Sequence, residues 1–316
     1  MSPAFLLFLA MAQVGWAPPA FLDGRLPGKH FVILFRERHR PLAEELKVSA
    51  ENTRARIVSD LGVPGSKGGT KVCLLQDFDD MQAAAPPGSS IPIWASGLAF
   101  PAYNLIFLRL VSPSAADVDL DKLFAHEWAH LALAHALGSV TVPRWFNEGF
   151  AMYQSGEWSF ERMRTLASGV ISNRIFSLEA LTDAFPEKVA DIRLAYAQSI
   201  DFISFLLEKK GRAGFGRLIR LLAGGLGFLA ALEEAYDTSL ASLEDEWHAD
   251  LRLRFTWIPL LTGTASLWFI VSLVFILAYV RRRRRRRREL ERLAAEDLSP
   301  SSWPWPPEDL PPGDLE

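Results

Sequence analysis

The chain has 316 residues, 49% of them hydrophobic and 22% charged, which is enough apolar content for a sizeable core in one large domain or two small ones. A formal net charge of −3 provides no general surface for a polyanion, and the single cysteine, Cys73, excludes an intrachain disulfide. The charge is unevenly spread: residues 281–316 hold nine Arg against eight Asp and Glu, a net of +1, so residues 1–280 sum to −4.

Residues 4–12 are a short apolar run with small-residue sites at Ala10-Met11-Ala12 and Gly15-Trp16-Ala17, and residues 1–17 read as a secretory signal peptide. A Pro- and Gly-rich lead-in occupies residues 18–29. His30–Phe35 is a compact apolar run expected to be a buried strand. Pro41–Leu61 has helical spacing, residues 62–69 form a Gly-rich loop, and Thr70–Leu75 reads as a second strand with Cys73 as a small buried side chain. Asp77–Ser96 is loop-rich, and Asn104–Leu110 reads as a third strand. Asp117–Leu137 is expected to be a helix capped by Asp117 or Asp119. Its apolar residues lie on nearly every side, the pattern of a buried helix. A short helix is expected from Arg144. Further helical pieces follow at Phe160–Ser172, Ser177–Ala184, Ile192–Lys210, Gly214–Ala223, Gly227–Tyr236 and Ser239–Arg252, with a break at Gly211 and an N-cap at Ser239. Strands and helices thus mix in the first half of residues 18–253, and the second half is helical, an α+β pattern.

Phe255–Val280 is 26 residues without a charge. As one helix it would be about 39 Å long, more than the ~30 Å hydrocarbon core, and a transmembrane helix is expected. Arg281–Arg288 beside such a span would stay cytoplasmic, near anionic lipid, and place residues 18–253 outside the cytoplasmic membrane. That position favours a stop-transfer role over nucleic-acid binding. The tail, residues 281–316, is Arg-rich and then acidic and Pro/Trp-rich, and is expected to be disordered.

Within the buried helix, His126-Glu127-Trp128-Ala129-His130 has the form H-E-x-x-H. Positions i and i+4 share one helical face, so two imidazoles can meet at one point with Glu127 beside them. Two His on Zn²⁺ with a Glu as general base is the chemistry this spacing serves, and it needs a third protein ligand and an open position. Glu148, in a short helix and separated from His130 by 17 residues, is the candidate third ligand. His135 is nine residues from His126, about 180° round the helix, and is not expected to join them. The strand Asn104–Leu110 precedes the motif helix and either packs in the core or accepts an extended peptide along its edge.

Together with Trp145-Phe146-Asn147-Glu148-Gly149-Phe150-Ala151, the motif resembles the gluzincin metallopeptidases, specifically the peptidase MA-like domains, over roughly residues 30–253. The resemblance implies a thermolysin-like zincin fold and a zinc-dependent peptidase acting on a peptide or protein substrate. His126, His130 and Glu148 would bind Zn²⁺, and Glu127 would move the proton from water to the leaving amine. Ala195-Tyr196-Ala197-Gln198-Ser199 resembles a weaker family feature, which makes Tyr196 the candidate donor to the oxyanion. Tyr153, just over one turn past Glu148, is a second candidate. One departure stands out. Many gluzincins place an Asp four residues after the third ligand to support a zinc-bound His, and that position here is Met152. A zinc-binding scaffold without peptidase activity, or a sensor coupled to the tail, therefore stays open beside the peptidase reading.

Overall fold

The computed structural model describes residues 15–63, 69–111, 118–262 and 264–297, with the side chains of residues 256–267 and 293–297 excepted. Of the expected signal peptide, residues 1–17, residues 1–14 lie outside the described residues. Trp16, in the range assigned to that peptide, is buried, and its indole N–H donates to the Ala84 carbonyl at 2.7 Å.

Five strands form one sheet in the order β1-β2-β3-β5-β4. The central three are β2 (Phe31–Phe35), β3 (Thr70–Leu75) and β5 (Leu105–Arg109), and they run parallel. Their side chains are buried on both faces, which is why they read as unbroken apolar runs. Short antiparallel strands close the two edges: β1 (Gly24–Pro27) on β2, and β4 (Gly97–Phe100) on β5. Each edge strand is only four residues long, Gly-Arg-Leu-Pro and Gly-Leu-Ala-Phe. One was expected as irregular lead-in, and the other follows a stretch expected to be loop. That stretch also contains a helix, α2 (Phe78–Ala84), capped by the Asp77 carboxylate.

One face of the sheet, with Leu34, Cys73, Leu75, Leu105 and Phe107, packs on Trp16, Leu22, Met81 and Ala84. The other face carries α1 (Arg40–Leu61) and α3 (Leu120–Leu137). Phe31 on β2 meets Phe124 and Trp128 on α3 edge to face, with ring centroids 5.2 and 5.0 Å apart. Asp119 caps α3 by accepting the Lys122 N–H. Next come α4 (Arg144–Ser155), α5 (Phe160–Ile171), α6 (Val189–Ala223), α7 (Phe228–Tyr236) and α8 (Leu240–Thr262). Gly211, with φ 64° and ψ −175°, kinks α6 where a break was expected. The expected helix at Ser177–Ala184 is a series of turns.

The chain divides into two units, Met1–Phe255 and Thr256–Glu316. The expected transmembrane helix over Phe255–Val280 is corrected. That stretch is shared between α8, ending at Thr262, and α9 (Thr264–Asp297). The part of α9 before the Arg run, the 17 residues 264–280, is about 25 Å long, short of the ~30 Å core. Among the described residues no helix is long and apolar enough to cross a membrane. Counting 26 uncharged residues as a single helix caused the error, and the membrane contact inferred from it is withdrawn. The helix α9 continues through Arg281–Arg288 to Asp297, so the start of the expected disordered tail is helical. Arg, Glu, Leu and Ala dominate it, and all are strong helix formers. Residues 298–316 lie outside the described residues.

Asp201 on α6 is buried, and it joins α6 to α8. It accepts from the Trp247 indole at 2.7 Å and from both terminal nitrogens of Arg254 at 2.9 and 2.7 Å. Asp201→Ala leaves a buried indole donor and a guanidinium without their acceptor. It is expected to cost about 2–3 kcal/mol, measured as a lower urea midpoint at unchanged m-value.

Candidate metal centre

The site is built where α3 crosses α4. On α3, His126 and His130 lie one turn apart on the same face, with their Nε2 atoms 3.1 Å from each other. Glu148 comes from α4, and its Oε2 is 4.0 Å from His130 Nε2. One donor atom from each of the three residues falls within 4.8 Å of the other two.

The aromatic residues of α4 explain why Glu148 points inward. Trp145 packs edge to face on Phe202 of α6, with centroids 5.2 Å apart, and Phe146 and Phe150 stack on Phe215. These rings hold one side of α4 against α6, leaving Asn147 and Glu148 toward α3. Gly149 allows the helices to approach this closely, since a Cβ there would run into the backbone carbonyl of Ser199. The Asn-Glu-Gly order thus combines an amide that reaches His130, a carboxylate that joins the two imidazoles, and a residue small enough for α6 to pass.

The outer nitrogens of both rings are engaged. His126 Nδ1 donates to Glu157 Oε1 at 2.8 Å, and His130 Nδ1 donates to Asn147 Oδ1 at 3.0 Å. With Nδ1 protonated on both rings, each Nε2 presents a lone pair inward. At 3.1 Å the two Nε2 atoms can share one proton, and a divalent cation bound to both would satisfy both lone pairs. Two nitrogens bound to a single tetrahedral zinc at ~2.05 Å would stand about 3.3 Å apart. Three carboxylates, Glu127, Glu148 and Glu157, surround the rings. The donor set and its spacing fit a divalent metal.

Glu157 takes the part that Met152 does not play. Met152, four residues after Glu148, is a buried apolar side chain. Glu157 reaches His126 from just beyond Gly156, which caps α4 in the left-handed region at φ 67°. It is itself held by the Ser155 hydroxyl at 2.9 Å and the Arg162 guanidinium at 2.5 Å, and Arg162 Nε donates to its backbone carbonyl at 2.8 Å. Sequence spacing did not find Glu157, because it lies in a turn after the helix and follows no helical period.

The charges follow this arrangement. Burial opposes the charged form of His126, yet the hydrogen bond to Glu157 and the surrounding carboxylates outweigh it and raise its pKa. Burial and the neighbouring His126 lower His130 to about 4. Burial raises Glu148 and pushes Glu127 up to about 7. Glu127 is only 7% exposed. It sits under the start of β4, where a Cβ on Gly97 would fall 2.6 Å from its Oε1. Glu127, His126, Glu157, Lys122, Gly97 and Trp94 line one cleft of about 330 Å³. Larger hollows, about 620 Å³ beside Arg174 and about 1070 Å³ beside Glu179, lie away from these residues. The donor chemistry, not cavity size, therefore locates the site.

Tyr196, on α6, stacks edge to face on Phe185 at 5.0 Å. Burial and the charge of Glu148 raise its pKa, while the nearby positive charge of Arg144 opposes the rise. Arg144, which also lowers the pKa of Glu148, is a cation of the site that the sequence reading passed over. His135 turns away, with Nε2 3.1 Å from the Pro101 carbonyl, and His248 packs on Trp247. Of the two roles left open for Asn104–Leu110, core strand or peptide-binding edge, the first holds: β5 lies between β3 and β4, and the edge beside α3 is β4.

Residues 50–252 match the Peptidase MA superfamily. The chain belongs to this superfamily. Its donor set of two His and a downstream Glu is the gluzincin arrangement. Similar solved structures include an M1 zinc metallopeptidase from Deinococcus radiodurans, 16% identical, with 72% of this chain covering 50% of that one at a TM-score of 0.37. A variant of a two-domain M1 zinc metallopeptidase bound to L-arginine is 16% identical, with coverages of 73% and 50% and a TM-score of 0.37. A Deinococcus radiodurans variant bound to a Tyr-Ser-Ala substrate is 18% identical, with coverages of 73% and 50% and a TM-score of 0.36. This chain spans half the length of those structures. Likenesses at that level carry no argument, so the superfamily assignment rests on the sequence match. No curated protein matches the chain.

Glu157→Ala removes the acceptor that orients His126. Metal affinity is expected to fall about 10–100-fold, read by competition against a chelating dye, with the fold retained by circular dichroism.

Proposed function

We propose that this protein is a zinc-dependent peptidase that hydrolyses peptide bonds with water. The observation that carries the reading is the facing pair of imidazole Nε2 atoms at 3.1 Å, with Glu148 beside them and both outer nitrogens held. His126, His130 and Glu148 hold the metal. When bound, zinc supplies a Lewis acid that polarises the scissile carbonyl and acidifies water.

The chain's own groups do the rest. Glu127, fixed against Gly97 in the cleft, takes a proton from the attacking water and delivers it to the leaving amine. Tyr196 donates its hydroxyl hydrogen bond to the oxyanion that develops on the carbonyl oxygen. Arg144 beside it orients that hydroxyl. An extended peptide adds to the open edge of β4 by main-chain hydrogen bonds, which brings its backbone over Glu127.

Purified protein is expected to hold one zinc per chain by elemental analysis, and Glu127→Gln to keep that zinc while lowering peptide cleavage by about 10²–10⁴-fold. Full activity in Glu127→Gln, or a chain without stoichiometric zinc, removes the proposal. Gly97→Ala places a methyl group against the Glu127 carboxylate. It is expected to lower kcat with metal content unchanged, measured on the same peptides.

A further inference from the structure

The hollow of about 620 Å³ beside Arg174 shares no residue with the metal cleft. One face of α5 forms a wall of it, with Arg164 and Ser168 one turn apart. The start of α6 forms another, with Val189, Asp191 and Arg193, and Arg174 joins them from the turn after α5. The two helices touch at Gly169, where a Cβ would fall 2.7 Å from Leu194 Cδ1, and both residues line the hollow. Three guanidiniums thus reach one concavity from three segments. They face a single lining carboxylate, so the local charge is +2, three Arg less one Asp. Residues 1–280 as a whole sum to −4, so the cluster runs against the charge of the chain around it. Its donors are also largely open. Arg174 gives one bond to Asp191 Oδ1 at 2.5 Å, and Arg193 a long one, 3.3 Å, to the exposed Glu161. Among the described residues the Arg164 guanidinium and the Ser168 hydroxyl have no protein partner. Each guanidinium carries five N–H donors in a planar fork, and most of those here point at no acceptor.

We propose that this hollow binds a small organic phosphate, at a site separate from the metal centre and independent of the peptidase reading. The choice of anion follows from the directions of the donors. A carboxylate offers two oxygens in one plane, which a single guanidinium fork fills. A phosphate monoester offers three strong acceptor oxygens and close to two negative charges. Forks arriving from α5, from α6 and from the turn between them suit the second shape, and the Ser168 hydroxyl adds a further donor. The rest of the lining decides the remainder of the ligand. Val189, 67% exposed, and Leu194 give the hollow an apolar side. Its volume lies in the range of small-molecule pockets and leaves room beyond a phosphate group. The ligand class is therefore a phosphate monoester whose organic group rests on that apolar side.

The test is calorimetric titration of the full chain with phenyl phosphate and with inorganic phosphate at fixed ionic strength. Phenyl phosphate is expected to bind, and inorganic phosphate to bind more weakly. Arg164→Ala should weaken phenyl phosphate about tenfold. Arg164 is exposed and unpartnered, so the variant should keep the wild-type circular dichroism. Arg193→Ala reads the same site from the other wall, with the same expected loss. Arg25→Ala removes an equal charge from an exposed position on β1 and should leave the affinity unchanged. Phosphate can also ligate zinc, so the titration is repeated after chelation of the metal, again with unchanged affinity expected. No binding of phenyl phosphate, wild-type affinity in both Arg164→Ala and Arg193→Ala, or an equal loss in Arg25→Ala overturns the proposal. So does binding that disappears with the metal, or inorganic phosphate binding as tightly as phenyl phosphate.

Discussion

The structure depends on a polar cluster carried by a helix that is apolar on nearly every side. The helix α3 is buried between the sheet, α1 and α4, yet it brings His126, Glu127 and His130 into that interior. Burying imidazole and carboxylate without partners is costly, so everything around α3 is arranged to supply them. Asn147 and Glu157 take the outer ring nitrogens, Gly97 opens space for Glu127, and Glu148 closes the ring of donors. The inward-facing nitrogens, 3.1 Å apart, are where a metal would join the cluster.

Geometry at this site is enforced from a distance. Phe31 fixes α3 to the central sheet, and the Trp145, Phe146 and Phe150 rings fix α4 to α6. The 3.1 Å separation of the imidazoles follows from their helical phase, but the place of Glu148 follows from how closely α4 approaches α6, which Gly149 permits. Rigid packing of this kind is what keeps a constellation in register for chemistry. The same economy extends to the rim of the cleft, where buried Arg109 braces a turn whose side chains point outward.

The departure at Met152 shows how a fold can meet one physical need from another direction. A zinc-bound imidazole needs an acceptor on its far nitrogen, to fix the tautomer and raise basicity. Helical spacing offers the position four residues after Glu148, and Met152 leaves it apolar. Glu157 supplies the acceptor from beyond the helix end, steadied by Ser155 and Arg162. The scaffold reading drew its support from the missing Asp, and this contact removes that support.

The sequence by itself determined what short-range periodicity encodes. The H-E-x-x-H spacing placed two imidazoles on one helical face, and the apolar runs marked the three central strands, because strands buried on both faces must be continuously apolar. Gly211 marked the kink in α6. Only the tertiary structure decided what depends on contacts between distant segments. The edge strands β1 and β4 are four residues long and only partly buried, too short for a period to mark them, and the open edge went to β4 rather than β5. Glu157, Arg144 and Arg109 act through residues 14 to 52 positions away, where no helical or strand period operates. The uncharged stretch at Phe255–Val280 misled for the same reason: composition counts residues, whereas among the described residues the stretch is divided between α8 and α9, and neither is long and apolar enough to cross a membrane.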